Sequence, residues 1–282
     1  MNGGTGKTTL SLLTALGFVE QDATVAIIVT DRDSPIFRWQ VIPGRPETVN
    51  VVERARKMLL RDQVNELLKR YAYIIIDCKT GATDDMEEAA VLSDLVLIPV
   101  ECIAMEKEGV ERTFALVRGL RRRDGSVPEF ATVFNRITTD TAVDCQRHHG
   151  VPTLPSLALD AMVPQQEAYR YLFEYGGPLS ELANHGVRHL KVALEAVRAL
   201  VNEIDLRIKR QEQQQIMKIF HLDPRRKPEF WTGRSGQLNL KLARRTEDNF
   251  RAFADRHGWS LAETFEQAVA LLLVSENKKH NL

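Results

Sequence analysis

The sequence predicts an α/β fold, in which a mostly parallel sheet is flanked by helices. Three observations lead to this prediction. A glycine-rich loop at residues 2–9 runs into apolar residues at helical spacing over residues 10–20. Residues 25–29 and 73–76 are short apolar runs that are closely followed by aspartate, as expected of buried parallel strands. Residues 93–100 and 129–134 add two further segments of strand length.

The glycine-rich loop has the composition of a phosphate-binding loop. Its closely spaced glycines allow backbone N–H groups to turn inward around phosphate oxygens. Lys7 can then reach the β- and γ-phosphates, and the Thr8 hydroxyl can ligate Mg²⁺. The expected nucleotide-binding residues of this segment are Gly3, Gly4, Thr5, Gly6, Lys7, Thr8 and Thr9.

The beginning of this loop departs from the standard pattern. That pattern has a glycine where this chain has Met1, so only its second half is satisfied. A loop of this type is also expected to follow a buried central strand, which a parallel sheet does not readily lose. We therefore expect the first strand of the sheet to be missing, either because it is encoded upstream of Met1 or because of a truncation.

The loop resembles the deviant phosphate-binding loop of the ParA/MinD family of ATPases, whose pattern is Lys-Gly-Gly-x-Gly-Lys-Thr. Asn2 stands where that family has its signature lysine. In the family this lysine reaches the nucleotide of the partner subunit in an ATP-bound dimer. The resemblance implies that the chain binds ATP and Mg²⁺, forms a homodimer and is an ATPase, with hydrolysis impaired by the asparagine and by the missing strand.

Carboxylates after two of the strands match further positions of the family. Asp31 and Asp33 resemble its Asp-x-Asp pair, which implies that Asp31 supports Mg²⁺ and that Asp33 positions the attacking water. Asp77 ends a run with the form of a Walker B strand, where a carboxylate can orient Mg²⁺ or its waters. The implied catalytic residues are Lys7 and Asp33. The implied metal ligands are Thr8, Asp31 and Asp77.

Two other places along the chain bear on the same site. Asn135 and Arg136 follow the predicted strand at residues 129–134 and resemble a pair that lies near the adenine in the family. They are expected to contact the base, with a loop cap as the alternative. Lys79 departs from the family pattern after Asp77, and a cation there could partly replace the missing lysine. A solvated loop lysine is the alternative. The resemblance spans roughly residues 1–185.

Charge and composition change beyond the predicted nucleotide-binding domain. Residues 187–216 have the spacing of a long amphipathic helix. Between Leu206 and Arg245 there are eleven basic and three acidic residues, although the whole chain has no net formal charge. Residues 218–236 are predicted to be an irregular basic linker, which would attract phosphates in a salt-dependent way. The alternative is a solubilising tether.

Residues 237–275 predict a strand, a helix, a glycine turn and a second helix that begins with a capping box. This order resembles a ribbon-helix-helix DNA-binding module, in which two chains pair their strands. Gln237, Asn239 and Lys241 would then face base edges in the major groove. Backbone N–H groups near Ser260 would bind a DNA phosphate. The alternative is a helical appendage that packs on the ATPase or only dimerises.

The predicted domains are therefore an ATPase domain at residues 1–217, a linker at 218–236 and a DNA-binding module at 237–275. Together the resemblances imply a ParA-like ATP-binding, DNA-associated protein that acts in plasmid or DNA partitioning or in the assembly of a DNA-transfer complex. ATP would drive dimerisation, hydrolysis would be weak, and a centromere-binding or relaxosome protein would be a partner. One alternative is a DNA-binding repressor with a degenerate ATPase domain. Another is a metabolic ligase or synthetase of the same superfamily.

The overall composition is that of a globular protein with a large core. Of the 282 residues, 44% are hydrophobic and 27% charged, and no apolar run approaches the ~20 residues of a membrane span. We therefore expect no membrane span and a cytoplasmic protein that associates with the nucleoid or a plasmid. Cys78, Cys102 and Cys145 are few and far apart, which favours reduced thiols.

Overall fold

The computed structural model describes most of the first 219 residues of the chain. The described residues are 5–79, 83–101, 107–123, 125–138, 158–188 and 190–219, together with 251, 254 and 255. Residues 220–236 of the predicted linker, and the strand predicted at residues 237–242, lie outside this part. The first two residues of the predicted irregular linker, Lys218 and Ile219, instead continue a helix, because the helical spacing that precedes them runs on. The chain divides into two compact units, Met1–Leu206 and Arg207–Leu282. The predicted domain boundaries at residues 217 and 236 stay predictions.

Helices and parallel strands alternate along the first unit. The strands are β1 (Val25–Val29), β2 (Val49–Glu53), β3 (Tyr73–Asp77), β4 (Val96–Val100), β5 (Phe130–Ile137) and β6 (Val163–Pro164). The helices are α1 (Lys7–Val19), α2 (Pro35–Trp39), α3 (Leu60–Leu68), α4 (Thr83–Leu92), α5 (Lys107–Gly119), α6 (Glu167–Tyr175) and α7 (Leu190–Ile219), with a 3₁₀ helix at Leu179–His185. Helix α7 continues into the second unit.

Strand β1 is the centre of a parallel sheet with the order β2-β1-β3. All five β1 residues are buried, as expected of a strand paired on both sides in an α/β protein. In the register of this sheet, Val29 lies opposite Glu53 of β2 and Asp77 of β3. Because the strands are parallel, β1 and β3 have their carboxyl ends on the same side of the sheet, next to each other. Asp31 and Asp77 are therefore delivered to the same place.

Strand β5 is the centre of a second parallel sheet with the order β4-β5-β6. Val96 of β4 lies opposite Phe130 of β5. The pairing of β5 with β6 shifts between Asn135 and Ile137. Arg136 lies at this irregularity with a φ of 56°, in the left-handed region that non-glycine residues rarely adopt. A bulge of this kind changes the direction of a side chain at the end of a strand.

The six strands form two sheets, whereas the sequence predicts one mostly parallel sheet. Among the described residues, β3 pairs with β1 alone and β4 pairs with β5 alone. Helix α1 contacts both β3 and β4, so it lies against both sheets. Ile74, Ile75 and Ile76 of β3 are only partly buried, in contrast to the wholly buried β1. Their exposure is that of an outer strand, because no described strand covers the second edge of β3.

Helix α1 approaches α7 closely at a glycine. A Cβ at Gly17 would lie 2.7 Å from Cγ1 of Val197 and 2.7 Å from Cγ1 of Val201. Both valines are buried. A glycine is needed here because a real Cβ does not come so close to another carbon. Gly17 therefore sets the distance between these two helices.

Helices cover each sheet with an apolar cluster. Ile28 of β1, Leu60 of α3 and Ala89 of α4 are buried together. Phe114 of α5 packs on Phe130 of β5, with ring centroids 5.3 Å apart. These clusters fix the positions of the strands. They therefore also fix the points at which the loops leave the carboxyl ends of the strands.

Most of the predicted elements are confirmed, with further differences besides the division into two sheets. The predicted α/β class, the strands at residues 25–29 and 73–77 and the helix after the loop are all present. Strand β2 and helix α3 are not anticipated from the sequence pattern; α3 begins without a side-chain cap at Leu59. Strand β5 also differs from the prediction, because it extends to Ile137, so Asn135 and Arg136 lie within a strand instead of after it.

Candidate functional site

The glycine-rich loop ends at the first turn of α1. Gly6 is the N-cap of this helix, with a φ of 76°, and its carbonyl oxygen accepts a hydrogen bond from the Leu10 N–H at 2.8 Å. The left-handed conformation at Gly6 is one that glycine adopts without steric cost. It brings Lys7, Thr8 and Thr9 to the helix N-terminus, where free N–H groups and the helix dipole favour an anion.

Asn135 ties this loop to strand β5. Its side chain is buried, and Nδ2 donates a hydrogen bond to the Thr5 carbonyl oxygen at 2.8 Å. A Cβ at Gly6 would overlap the same Nδ2 atom. The Asn135 amide therefore supports the loop backbone. Its predicted contact with an adenine base stays a prediction.

Arg136, the next residue, lines the site from the irregular end of β5. Its Nη1 pairs with Glu101 Oε1 at 2.8 Å. The Arg136 side chain is about half exposed, so this pair contributes little to stability. The guanidinium is therefore a cation that can exchange partners when an anion enters.

Asp77, at the end of β3, is the buried carboxylate of the site. Ser11 Oγ donates to its Oδ1 at 3.0 Å, and Ser34 Oγ donates to its Oδ2 at 3.5 Å. Burial raises the pKa of Asp77, while hydrogen bonds from hydroxyl groups and the charge of Lys7 act in the opposite direction. The Thr8 hydroxyl is one of these donors. Asp77 thus links the end of β3 to the first turns of α1.

Asp31, just after β1, is the second carboxylate. Its Oδ1 accepts hydrogen bonds from Lys79 Nζ at 3.0 Å and from the Asp33 backbone N–H at 3.2 Å. The hydrogen bond from Lys79 is the main reason that the pKa of Asp31 is lowered. Lys79 is itself held by its backbone N–H, which donates to Thr30 Oγ1 at 2.7 Å. The ends of β1 and β3 are therefore joined by side-chain contacts as well as by strand pairing.

These groups surround a cavity of about 240 Å³. Three cations and two carboxylates face it. The lining residues are Gly6, Lys7, Thr8, Thr9, Asp31, Asp77, Cys78, Lys79 and Arg136. Burial raises the pKa of the Cys78 thiol to about 12. Cys78 therefore lines the cavity as a neutral thiol and does not act as a nucleophile. A cationic cavity at a helix N-terminus suits a phosphate chain.

The donor set of the cavity fits a magnesium ion. Mg²⁺ prefers hard oxygen ligands and usually takes one or two carboxylates from a protein, with phosphates and waters for the rest. Asp31, Asp77 and the Thr8 hydroxyl are oxygen donors at this cavity. Within the described part of the chain, no group of three or more His, Cys, Asp or Glu side chains is placed to hold a metal.

In the sequence comparison, a family model matches the middle of the first unit. Residues 45–127 match a family model described as an AAA domain. This segment runs from β2 through α5 and is less than a third of the chain. No curated protein matches the chain.

Solved structures resemble the chain over about 71–72% of its length. The cell division protein MinD of Aquifex aeolicus has a TM-score of 0.52 and 16% sequence identity, over 71% of this chain and 94% of its own. A Borrelia burgdorferi protein assigned to plasmid partition and bound to AMPPNP has a TM-score of 0.52 and 15% identity, over 72% and 94%. The apo form of McdA from Cyanothece has a TM-score of 0.50 and 20% identity, over 71% and 96%. The chain has the MinD/ParA-type P-loop NTPase fold.

The MinD/ParA-type fold brings together most of the described residues that the sequence predicts for the site. Gly6, Lys7, Thr8, Thr9, Asp31, Asp77 and Arg136 line the cavity. Thr5 does not line the cavity; its carbonyl oxygen accepts the hydrogen bond from Asn135. Asp33 is exposed and does not line the cavity, and its predicted role with the attacking water stays a prediction. Gly3, Gly4, Gln237, Asn239, Lys241 and Ser260 lie outside the described residues.

Sequence reasoning missed two residues that support the site in this MinD/ParA-type fold. Ser11 and Ser34 both donate to Asp77. Ser11 could have been found, because it lies four residues after Lys7 and so on the same face of α1. Ser34 could not, because its contact joins the N-cap of α2 to the end of β3, two segments that are far apart in the sequence. Within the described residues, no helix has both the length and the apolarity to cross a membrane.

Proposed function

We propose that this chain is a ParA-like ATPase that binds ATP with Mg²⁺ in the cavity between α1 and the ends of β1 and β3. The observation that carries the proposal is the meeting of Lys7 and Thr8, at a helix N-terminus, with Asp31 and Asp77. Phosphoryl transfer asks a protein mainly for positioning and for neutralisation of charge. The cavity offers both, through backbone N–H groups, three cations and two carboxylates.

The residues divide this work by position. The first N–H groups of α1 and the Lys7 ammonium would hold the phosphates, because they face the cavity at the positive end of the helix dipole. Thr8, Asp31 and Asp77 would hold Mg²⁺, which neutralises charge on the phosphate oxygens when bound. Ser11 and Ser34 keep the Asp77 carboxylate in place. Asn135 keeps the loop in place through Thr5.

We further propose that nucleotide binding controls DNA association in partitioning or in the assembly of a DNA-transfer complex. ATP would favour a homodimer, which brings two copies of the predicted module at residues 237–275 together. The basic composition of residues 206–245 supports an interaction with DNA phosphates. The fold shared with a protein assigned to plasmid partition adds support. A centromere-binding or relaxosome protein would then be the partner.

One alternative has specific observations in its favour. A DNA-binding repressor with a non-hydrolysing ATPase domain would explain Asn2 in place of the family's lysine. A protein that does not hydrolyse ATP could also function with its sheet divided between β3 and β4. The two proposals differ in whether nucleotide changes the affinity for DNA.

Replacement of Lys7 by alanine is expected to weaken ATP binding by at least about 30-fold. The reason is that truncating one member of a close charge pair costs about 2–5 kcal/mol, and about 1.4 kcal/mol is ten-fold. Titration calorimetry with Mg²⁺ and AMPPNP measures this affinity. Lys69→Ala is the matched control, because Lys69 is an exposed lysine that pairs with Glu66 on α3, outside the cavity. Equal affinity in the Lys7 variant would contradict the phosphate assignment.

Full-length protein is expected to bind DNA more tightly with ATP than with ADP or without nucleotide. Lys241→Ala should weaken DNA binding by about 1–3 kcal/mol and leave ATP affinity unchanged, since it would remove a contact with a base edge. Fluorescence anisotropy of labelled DNA measures the effect of nucleotide and the effect of the variant on DNA affinity. The salt concentration is held fixed, because phosphate contacts make this affinity depend on salt. DNA affinity that does not respond to nucleotide would favour the repressor. Unchanged affinity in the Lys241 variant would remove the predicted ribbon from the proposal.

A further inference from the structure

Lys79 is a cation of the cavity to which the proposed ATP site assigns no particular phosphate. It comes two residues after Asp77, on the segment that leaves β3, and lines the same cavity as Lys7. Its side chain is half exposed, so packing does not fix the position of its ammonium group. The two lysines enter the cavity from different elements, Lys7 from α1 and Lys79 from beyond β3.

The backbone of Lys79 is fixed while its ammonium group is free to exchange partners. The Lys79 N–H donates to the Thr30 hydroxyl at 2.7 Å, and Thr30 is buried at the end of β1. This contact anchors the residue beside Asp31. The ammonium reaches Asp31 Oδ1 at 3.0 Å through a flexible side chain, and both groups are partly exposed to solvent. Exposed ion pairs of this kind contribute little, so exchanging the partner costs little.

The partner of Lys79 is one of the two carboxylates that fit Mg²⁺. The other exchangeable cation of the cavity, Arg136, pairs instead with Glu101, which does not line the cavity. Lys79 would therefore lose its partner when Asp31 turns to a bound metal, and the ammonium would remain anchored at the cavity. A phosphate oxygen is then the acceptor that restores a charged hydrogen bond to Lys79.

The position of Lys79 suits the last phosphate of the chain. In the proposed site, the loop and Lys7 would serve the phosphates at the N-terminus of α1, whereas Lys79 and Asp31 belong to the side of the cavity formed by β1 and β3. We propose that Lys79 senses the terminal phosphate: its ammonium pairs with Asp31 in the empty site and with the γ-phosphate of a nucleoside triphosphate, so that it selects triphosphate over diphosphate. This inference rests on the proposed ATP site.

The test compares the affinities of Mg²⁺-AMPPNP and Mg²⁺-ADP for full-length protein by titration calorimetry. In Lys79→Gln we expect the preference for AMPPNP over ADP to fall by about ten-fold, because one charged hydrogen bond to the γ-phosphate is lost. Affinity for ADP should change by less than about two-fold. Lys79→Arg keeps the charge and should retain most of the preference. Lys69→Gln, at the exposed lysine that directly follows α3, should behave as the unmodified protein.

Three other results would overturn the inference, and they separate it from the proposed function. If Lys79→Gln keeps the full preference for AMPPNP, Lys79 does not contact the terminal phosphate. If the variant loses affinity for both nucleotides equally, Lys79 contributes only to the positive electrostatic potential of the cavity and does not contact the terminal phosphate. If the unmodified protein binds neither nucleotide, the proposed ATP site is wrong and the role of Lys79 falls with it.

Discussion

Replacement of Gly6 by alanine is expected to reduce nucleotide binding by at least about 30-fold. Two effects act together at this position. The φ of 76° is costly for any residue with a Cβ, at roughly 1–2 kcal/mol. The new methyl group would also overlap Asn135 Nδ2, which must then give up its hydrogen bond to Thr5. Either the loop or Asn135 moves, and the N–H groups that face the cavity move with it.

The control for this variant is Gly186→Ala. Gly186 caps the 3₁₀ helix with a φ of 73°, and nothing lies within 4 Å of the place where its Cβ would be. It therefore carries the same backbone penalty without the overlap. We expect it to lower the free energy of unfolding by about 1 kcal/mol and to leave AMPPNP affinity unchanged. If the two variants bind AMPPNP equally well, the contact between Asn135 and the loop does not shape the site.

Replacement of Gly17 by valine is expected to lower the free energy of unfolding by about 3 kcal/mol. The added carbons would lie in space that Val197 and Val201 of α7 already fill, and overpacking a dense core forces side chains off their rotamers. The gain in helix propensity over glycine, less than about 1 kcal/mol, does not offset this cost. Urea denaturation followed by circular dichroism measures the difference.

A second substitution tests whether the cause is the helix contact. Val201→Ala removes one of the two valines and should recover part of the stability lost in Gly17→Val, although it is destabilising by itself. The two substitutions are in contact, so their effects should not add. Additive effects would show that α1 and α7 do not press on each other at Gly17. Gly119→Ala, at a glycine with nothing within 4 Å, controls for the change in backbone freedom.

The local parts of this site could be predicted from the sequence. The sequence predicts the loop and Asp77 because each lies in one short segment whose residues act through their immediate neighbours. It predicts Asp31 because an apolar run ends just before this residue. In all three cases a strand or helix of ordinary type delivers the residue, so the pattern of apolar residues is enough to place it.

The contacts between distant segments could not be predicted in this way. Asn135 and Thr5 are 130 positions apart in the sequence, and their hydrogen bond depends on where β5 lies relative to α1. The direction of the Arg136 side chain depends on a shift of register in the pairing between β5 and β6. Such a shift moves a side chain to the other face of a strand, and no periodicity in the sequence reveals it. The predicted place of this pair near a base came from resemblance alone.

The second edges of β3 and β4, with which no described strand pairs, have a consequence for how the protein behaves in solution. In β3 this edge belongs to a strand with three consecutive isoleucines that are only partly buried. Such an edge is a template that an extended segment of any origin can join by main-chain hydrogen bonds. A strand from the same polypeptide would close the sheet and hide the isoleucines. A strand from a second molecule would begin an aggregate, so solubility at high concentration reports directly on how this edge is covered.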